Sequence, residues 1–304
     1  MIETWIWVTI GAAFVQNLRF MFQKQLKDVG FSTGGATFAR FVYAAPLAVA
    51  LLAVYLSWQE TDIPQTNLRF WAFALGGALS QILATVFVVS LFSHRNFAVG
   101  ITLKKTEVLL SALVGFVVLG EAMTFGGLSA VVLGFIGVMI LSDPPKTDGS
   151  ILRFLWNRAA IFGIASGLFF ALSGVGYRGA ALSLDLFGDE NALLRAMMTL
   201  AMVSTAQMLG MALWLRVFEQ GQITKVMTHW RRAAPVGLTS VIASLGWFWA
   251  FTQQTVAYVF ALGQIELVFA FLTGLLVFRE PTRAREVLGM IVLLASILLL
   301  VSVL

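Results

Sequence analysis

The chain has 304 residues, 59% of them apolar and only 12% charged, with a mean hydropathy of +0.89. A soluble domain carries about 25% charge, so an ordinary soluble fold is excluded and an integral membrane protein is expected. The net charge of +5 is dispersed, with no basic and aromatic stripe for nucleic acid. The absence of cysteine removes disulfides, thiolate metal sites and thiol catalysis.

Apolar runs of about 20 residues predict ten spans: 4–26, 33–57, 69–92, 97–119, 125–142, 158–182, 191–216, 233–253, 256–278 and 286–304. Glu3 stands where a signal peptide needs basic residues, and the apolar run continues as span 1, so no cleaved leader is expected. Span 1 carries Gln16, Asn17, Arg19 and Gln23, and span 2 carries Arg40 near its inner end. After the polar stretch "SWQETDIPQTN", span 3 places Gln81, Thr85, Val88 and Phe92 on one stripe.

Span 4 holds the most unusual residues, because "LKKTEVLL" puts Lys104, Lys105 and Glu107 near its centre. A charge at the centre of a membrane helix costs about 2.5–3.5 kcal/mol, so these residues need partners or water. Lys104 lies three residues before Glu107 on the same face and can close an ion pair with it. The central segment "DPPKTDGS" reads as a linker.

In the second half, Gly163 and Gly167 of span 6 form a small-residue step suited to close packing within the bundle. Arg178, and Arg195 of span 7, resemble Arg19, Lys24 and Arg40 in lying where a long side chain can snorkel to the headgroups. Span 8 aligns Ser240, Ser244, Trp247 and Phe251 on one stripe, and span 9 carries Glu266 at its centre. Trp247 and Tyr258 are candidates for an aromatic wall.

The halves resemble each other when residue n is laid on n+159. "AVGITLKKTEVLLSALVGFVVLGE" then faces "AYVFALGQIELVFAFLTGLLVFRE", and Glu107 and Glu121 fall on Glu266 and Glu280. The expected organisation is a first repeat over 1–142, a linker over 143–157 and a second repeat over 158–304. Five spans per repeat is an odd number, so the second half enters the membrane from the opposite side. The expected fold is therefore all-α, with ten transmembrane helices as two inverted five-helix repeats around a central cavity, a plan common among secondary transporters.

Basic residues cluster in alternate loops: Lys24, Lys27, Arg95, Lys146, Arg153, Arg158, Arg216, Lys225, Arg231, Arg232, Arg279, Arg283 and Arg285 lie on one side, and Arg69 alone on the other. The positive-inside bias predicts that both termini lie outside, in a plasma membrane such as a bacterial inner membrane.

The repeat puts Glu107 and Glu266 at the midplane on related helices. Lys104, Lys105, Glu107, Glu266, Gln81, Trp247, Tyr258 and Asn17 are the candidate substrate-binding residues. Glu266 and Glu107 are the candidate proton-coupling groups. Glu266 leads because its own helix offers it Gly263 and Gln264 where span 4 has lysines. Glu121 and Glu280 sit at span ends, where a structural role in capping or loop binding is expected. Nothing suggests a nucleotide loop, a nucleophile elbow or a metal cluster, and His94 and His229 lie in different loops. No cofactor and no enzymatic activity is expected.

"TFARFVYAAPLAVALL", "GFVVLGEAMTFGGLSAVVLGFIGVMIL" and "GLLVFREPTRAREVLGMIVLLASILLL" resemble the drug/metabolite transporter superfamily, specifically its EamA type. The resemblance covers essentially the whole chain, including an arginine-bearing second helix and an apolar helix, glutamate, turn and glycine-bearing helix closing each half. It departs where family members often carry a proline in helices 4 and 9, since this chain has "KKTEV" and "GQIEL" there. The resemblance implies export or exchange of a small solute through a central cavity lined by helices 1, 3, 4, 6, 8 and 9. Together with the midplane charges it points to a small polar metabolite, amino-acid-like or amine-bearing, with protons as the candidate coupling ion. Uptake of an organic cation or anion, and a channel or partner-dependent membrane subunit, are the alternatives. The expected partners are the solute and the lipid bilayer, with the protein a monomer or homodimer.

Overall fold

A computed structural model of the chain describes residues 3–91, 102–141, 158–186, 188–276 and 283–303. Within them the helices are α1 (Thr4–Asp28), α2 (Thr33–Gln59), α3 (Leu68–Leu91), α4 (Glu107–Leu119), α5 (Phe125–Leu141), α6 (Arg158–Leu182), α7 (Ala192–Phe218), α8 (Gln222–Thr228), α9 (Trp230–Gln253), α10 (Val256–Gly263), α11 (Ile265–Leu276) and α12 (Ala284–Val303). Six of these, α2, α3, α6, α7, α9 and α12, are long and apolar enough to cross a bilayer. Large apolar side chains such as Phe116, Leu213 and Leu298 point outward, as lipid contact requires. The expected linker over 143–157, Phe92, His94, Arg95, Arg279 and Glu280 lie outside the described residues.

Local chemistry sets several boundaries. Ser32 caps α2 by accepting from the Gly35 amide (2.8 Å). Gly120 ends α4 with φ 71°, a left-handed turn that glycine adopts without strain. The short helix α8 was not anticipated, since its seven residues fall in a stretch expected to be loop.

Two expected spans are each broken. Residues 102–104 are helical, Lys105 and Thr106 form a turn, and α4 restarts at Glu107. There the amides of Lys105 and Thr106 donate to carbonyls three residues back, Thr102 (3.0 Å) and Leu103 (3.1 Å), instead of four. The second break separates α10 from α11 at Gln264, whose amide donates to the Ala261 carbonyl (3.2 Å). Laying n on n+159 puts residue 105 on residue 264, so the breaks coincide under the repeat. The sequence suggested two continuous helices, since neither segment carries a proline.

Packing pairs α1 with α9, α3 with α6, α2 with α7 and α5 with α12. Exchanging the halves turns the first pairing into the second and leaves the other two unchanged. Close approach depends on small residues. A Cβ on Gly77 would meet the Tyr177 ring at 2.9 Å, and one on Gly176 would meet Gly77 Cα at 2.9 Å. Gly167 of the expected small-residue step seats α6 against the first break, where a Cβ would lie 2.8 Å from the Lys104 carbonyl oxygen. The core thus brings α6 and α1 up to the two broken segments.

Candidate functional site

The breaks matter because they hold the charged residues. Lys104 Nζ lies 2.9 Å from Glu107 Oε1, the local i,i+3 pair that the sequence allowed. Lys105 points the other way and pairs with Glu266, so a lysine of the first half meets the carboxylate of the second. All four side chains are buried. Lys104 also sits 4.7 Å from the Phe170 ring centroid, a cation–π contact that further offsets its removal from water.

This arrangement corrects the expectation about Glu266. Its own helix offers no cation, but Lys105 supplies one across the interface between the halves. The proposed difference between the two carboxylates therefore loses its basis, because each has a lysine.

Arg40 corrects a second expectation. Instead of snorkelling, its guanidinium turns into the bundle and is 3% exposed. Its Nε donates to Ser240 Oγ (3.1 Å) and its Nη1 to Thr85 Oγ1 (2.9 Å). Both hydroxyls belong to the polar stripes read from spans 3 and 8. Among the described residues no carboxylate pairs with Arg40. Arg19 is also buried, its Nη2 donating to Gln16 Oε1 (3.4 Å) while its Nη1 has no partner. Arg195 is buried as well and donates to the Gly188 carbonyl (3.2 Å), whereas Lys24 is exposed as expected.

These groups surround a narrow cavity of about 30 Å³, lined among others by Gln16, Arg40, Gln81, Lys104, Lys105, Glu107, Trp247 and Glu266. Trp247, Phe251 and Phe260 form one wall, with Trp247 and Phe260 centroids 5.8 Å apart. On another side Gln207 ties the polar groups together, donating to Gln81 Oε1 (3.0 Å) and the Tyr177 hydroxyl (3.1 Å). Trp247 Nε1 and Gln264 Oε1 are buried without a partner.

Two expected lining residues lie elsewhere. Tyr258 turns away from the cavity, where its hydroxyl accepts from the Thr124 amide (3.2 Å) beside α5. Asn17 is not among the lining residues, and its neighbour Gln16 is. The reason in both cases is the rotation of the helix about its own axis, which a hydropathy window does not report. Sequence reasoning missed Ser173, Tyr177, Gln207 and Phe260. The i,i+4 spacing of Ser173 and Tyr177 on a glycine-rich span was the available signal.

Helix ends are tied together on both sides of the bundle. At one end Arg178 pairs with Glu121 and donates to the carbonyls of Phe251 (2.6 Å) and Gln254 (2.8 Å). Arg178 of α6 is the bridge, linking Glu121 after α4 to the carbonyls at the end of α9. At the other end Ser32 donates to Glu219, Lys225 to the Gly30 carbonyl (2.6 Å) and Tyr43 to the Val226 carbonyl (2.9 Å). These contacts fasten α8 and the end of α7 to α2.

Comparison with known proteins agrees with this architecture. The family model described as the EamA-like transporter family matches residues 3–143. Comparison with curated proteins gave no match. A solved crystal structure, described only as that of a protein, aligns over 97% of this chain and 94% of its own with a TM-score of 0.70 at 14% identity. That likeness is one of fold.

Proposed function

We propose, from the premise that residues 3–143 belong to the EamA-like transporter family and that the chain is a multi-pass membrane transporter, that it works as a secondary carrier. In this reading two inverted five-helix repeats, 1–142 and 158–304, expose one central cavity to each side of the membrane in turn. A small polar metabolite is exported or exchanged, the direction that the family resemblance implies.

The observation that carries the reading is the buried Lys105–Glu266 pair lining the central cavity. It joins the two halves at the two helix breaks, where carriers built from repeats bind solute and coupling ion. Opening the cavity to either side requires the halves to move relative to each other, and the pair must then loosen or re-form. Solute binding and movement are thereby linked. Protons remain the candidate coupling ion, with Glu107 and Glu266 as the groups to receive them.

Lys104 and Lys105 occupy both carboxylates, so an ammonium solute would have to displace a lysine. This weakens the amine-bearing preference and leaves the acid end of an amino-acid-like solute as the better-matched part. The test is counterflow in proteoliposomes preloaded with candidate metabolites. Saturable exchange that accelerates with solute on the far side is expected, whereas passive conductance without exchange would identify a channel instead.

A further inference from the structure

The cavity holds an imbalance of charge that the described residues do not resolve. Two lysines meet two glutamates and neutralise each other, which leaves Arg40 over. Its partners among the described residues are the hydroxyls of Ser240 and Thr85 and the ring of Phe41, 5.3 Å to its centroid, none of which carries a charge. Arg19 is buried as well and has no carboxylate partner among the described residues. A charge buried in a membrane protein is normally paired, and one left unpaired marks the site of a missing counter-ion.

A second observation is independent of charge. Trp247 Nε1, a donor, and Gln264 Oε1, an acceptor, are unpartnered on residues 8% and 3% exposed, and both residues line the same cavity. Ser240, which holds Arg40, and Trp247 lie seven residues apart on α9, about 10 Å along the helix. That separation suits the two ends of one small solute.

We propose that Arg40 is the anion-binding residue of this carrier and that its solute is a small organic anion. An acid group meets the guanidinium, and an uncharged group that can both accept and donate, such as a hydroxyl, meets Trp247 and Gln264. The guanidinium is held by its Nε and Nη1, and its remaining N–H groups are available to a carboxylate, a geometry in which arginine outperforms lysine. This assignment rests on the carrier reading above and sharpens its solute class.

The test uses the purified full-length protein in detergent and three matched probe series with their polar groups at opposite ends of the chain: 6-hydroxyhexanoate, 6-aminohexanoate and 6-amino-1-hexanol, each with its homologues one and two methylenes shorter and longer. Thermal unfolding is followed for the wild type, Arg40→Lys and Arg40→Gln. Hydroxy acids should stabilise the wild type saturably, the amino alcohols should not, and the zwitterions should bind less tightly than the hydroxy acids. Arg40→Lys should weaken acid binding by about tenfold or more, the loss expected when a charged fork becomes a point charge, and Arg40→Gln should abolish it. If Arg40→Gln does not fold, the Arg40→Lys shift in acid affinity, set against an unchanged response to amino alcohols, decides the matter. Stabilisation by amino alcohols alone, tighter binding of zwitterions, equal acid binding by wild type and Arg40 variants, or no response to any series would each overturn the proposal. Proteoliposome exchange separates the two readings. Acid binding without exchange refutes the carrier and leaves the subsite, whereas exchange of amines but not acids refutes the subsite and leaves the carrier.

Discussion

Removing the Lys105–Glu266 pair one side at a time and then together gives the sharpest test of what the pair does. In Glu266→Leu, Lys105 is left buried (4% exposed) without its partner. In Lys105→Met, Glu266 is left in the same position. Breaking a buried pair by deleting one member costs about 3–5 kcal/mol, because the survivor is desolvated and uncompensated. Replacing both by apolar side chains of similar volume is commonly neutral or stabilising by about 1–4 kcal/mol. The double variant should therefore recover wild-type stability, while the Lys104–Glu107 pair stays intact. Exchange should not recover, because the group proposed to couple the halves has gone. Stability is read from reversible denaturation in mixed micelles, and transport from counterflow in proteoliposomes. The reasoning is refuted if either single substitution costs less than about 1 kcal/mol, or if the double variant exchanges solute at the wild-type rate.

Further outcomes follow from other contacts. Gly167→Ala would place a methyl 2.8 Å from the Lys104 carbonyl oxygen and 3.1 Å from the Glu107 amide nitrogen, so it should destabilise by about 1–3 kcal/mol and slow exchange. The control Gly11→Ala has nothing within 4 Å of the new methyl and should leave both unchanged in the same assays. Tyr258→Phe removes the acceptor for the Thr124 amide and should cost about 1 kcal/mol of stability while leaving solute affinity untouched, a result that a thermal-shift titration would expose as wrong if Tyr258 contacted solute. In this cysteine-free chain, Thr61→Cys should label in intact cells with an impermeant thiol reagent and Gln220→Cys should not, and the reverse pattern would overturn the orientation taken from the basic residues.

Much of the architecture was legible in the sequence because it is written in local patterns. Span 2 was placed at 33–57 and α2 occupies Thr33–Gln59, since a membrane helix must satisfy its own backbone and so advertises itself as one apolar run. The Lys104–Glu107 contact was readable for the same reason, as three residues along a helix fix which side chains are neighbours. The match of Glu107 to Glu266 followed from aligning the halves.

What remained hidden depends on how separate helices are rotated and seated. No spacing joins Lys105 to Glu266, because the two meet only when the halves are packed. Arg40 has the same position in sequence whether it snorkels or turns inward. The hydroxyls of Thr85 and Ser240, brought to it by α3 and α9, supply the hydrogen bonds that make the inward course favourable. Tyr258 and Asn17 were assigned to the cavity from their residue types, yet residue type does not say which face of a helix meets its neighbours. The breaks at Lys105 and Gln264 carry no proline to announce them. Sequence alone therefore determined the all-helical membrane class and the course of long helices such as α2, properties of single helices in an apolar medium. Tertiary structure decided which charges pair and that Arg40, which faces the cavity, finds no carboxylate among the described residues, because a buried charge takes its partner from whatever helix packing brings within reach.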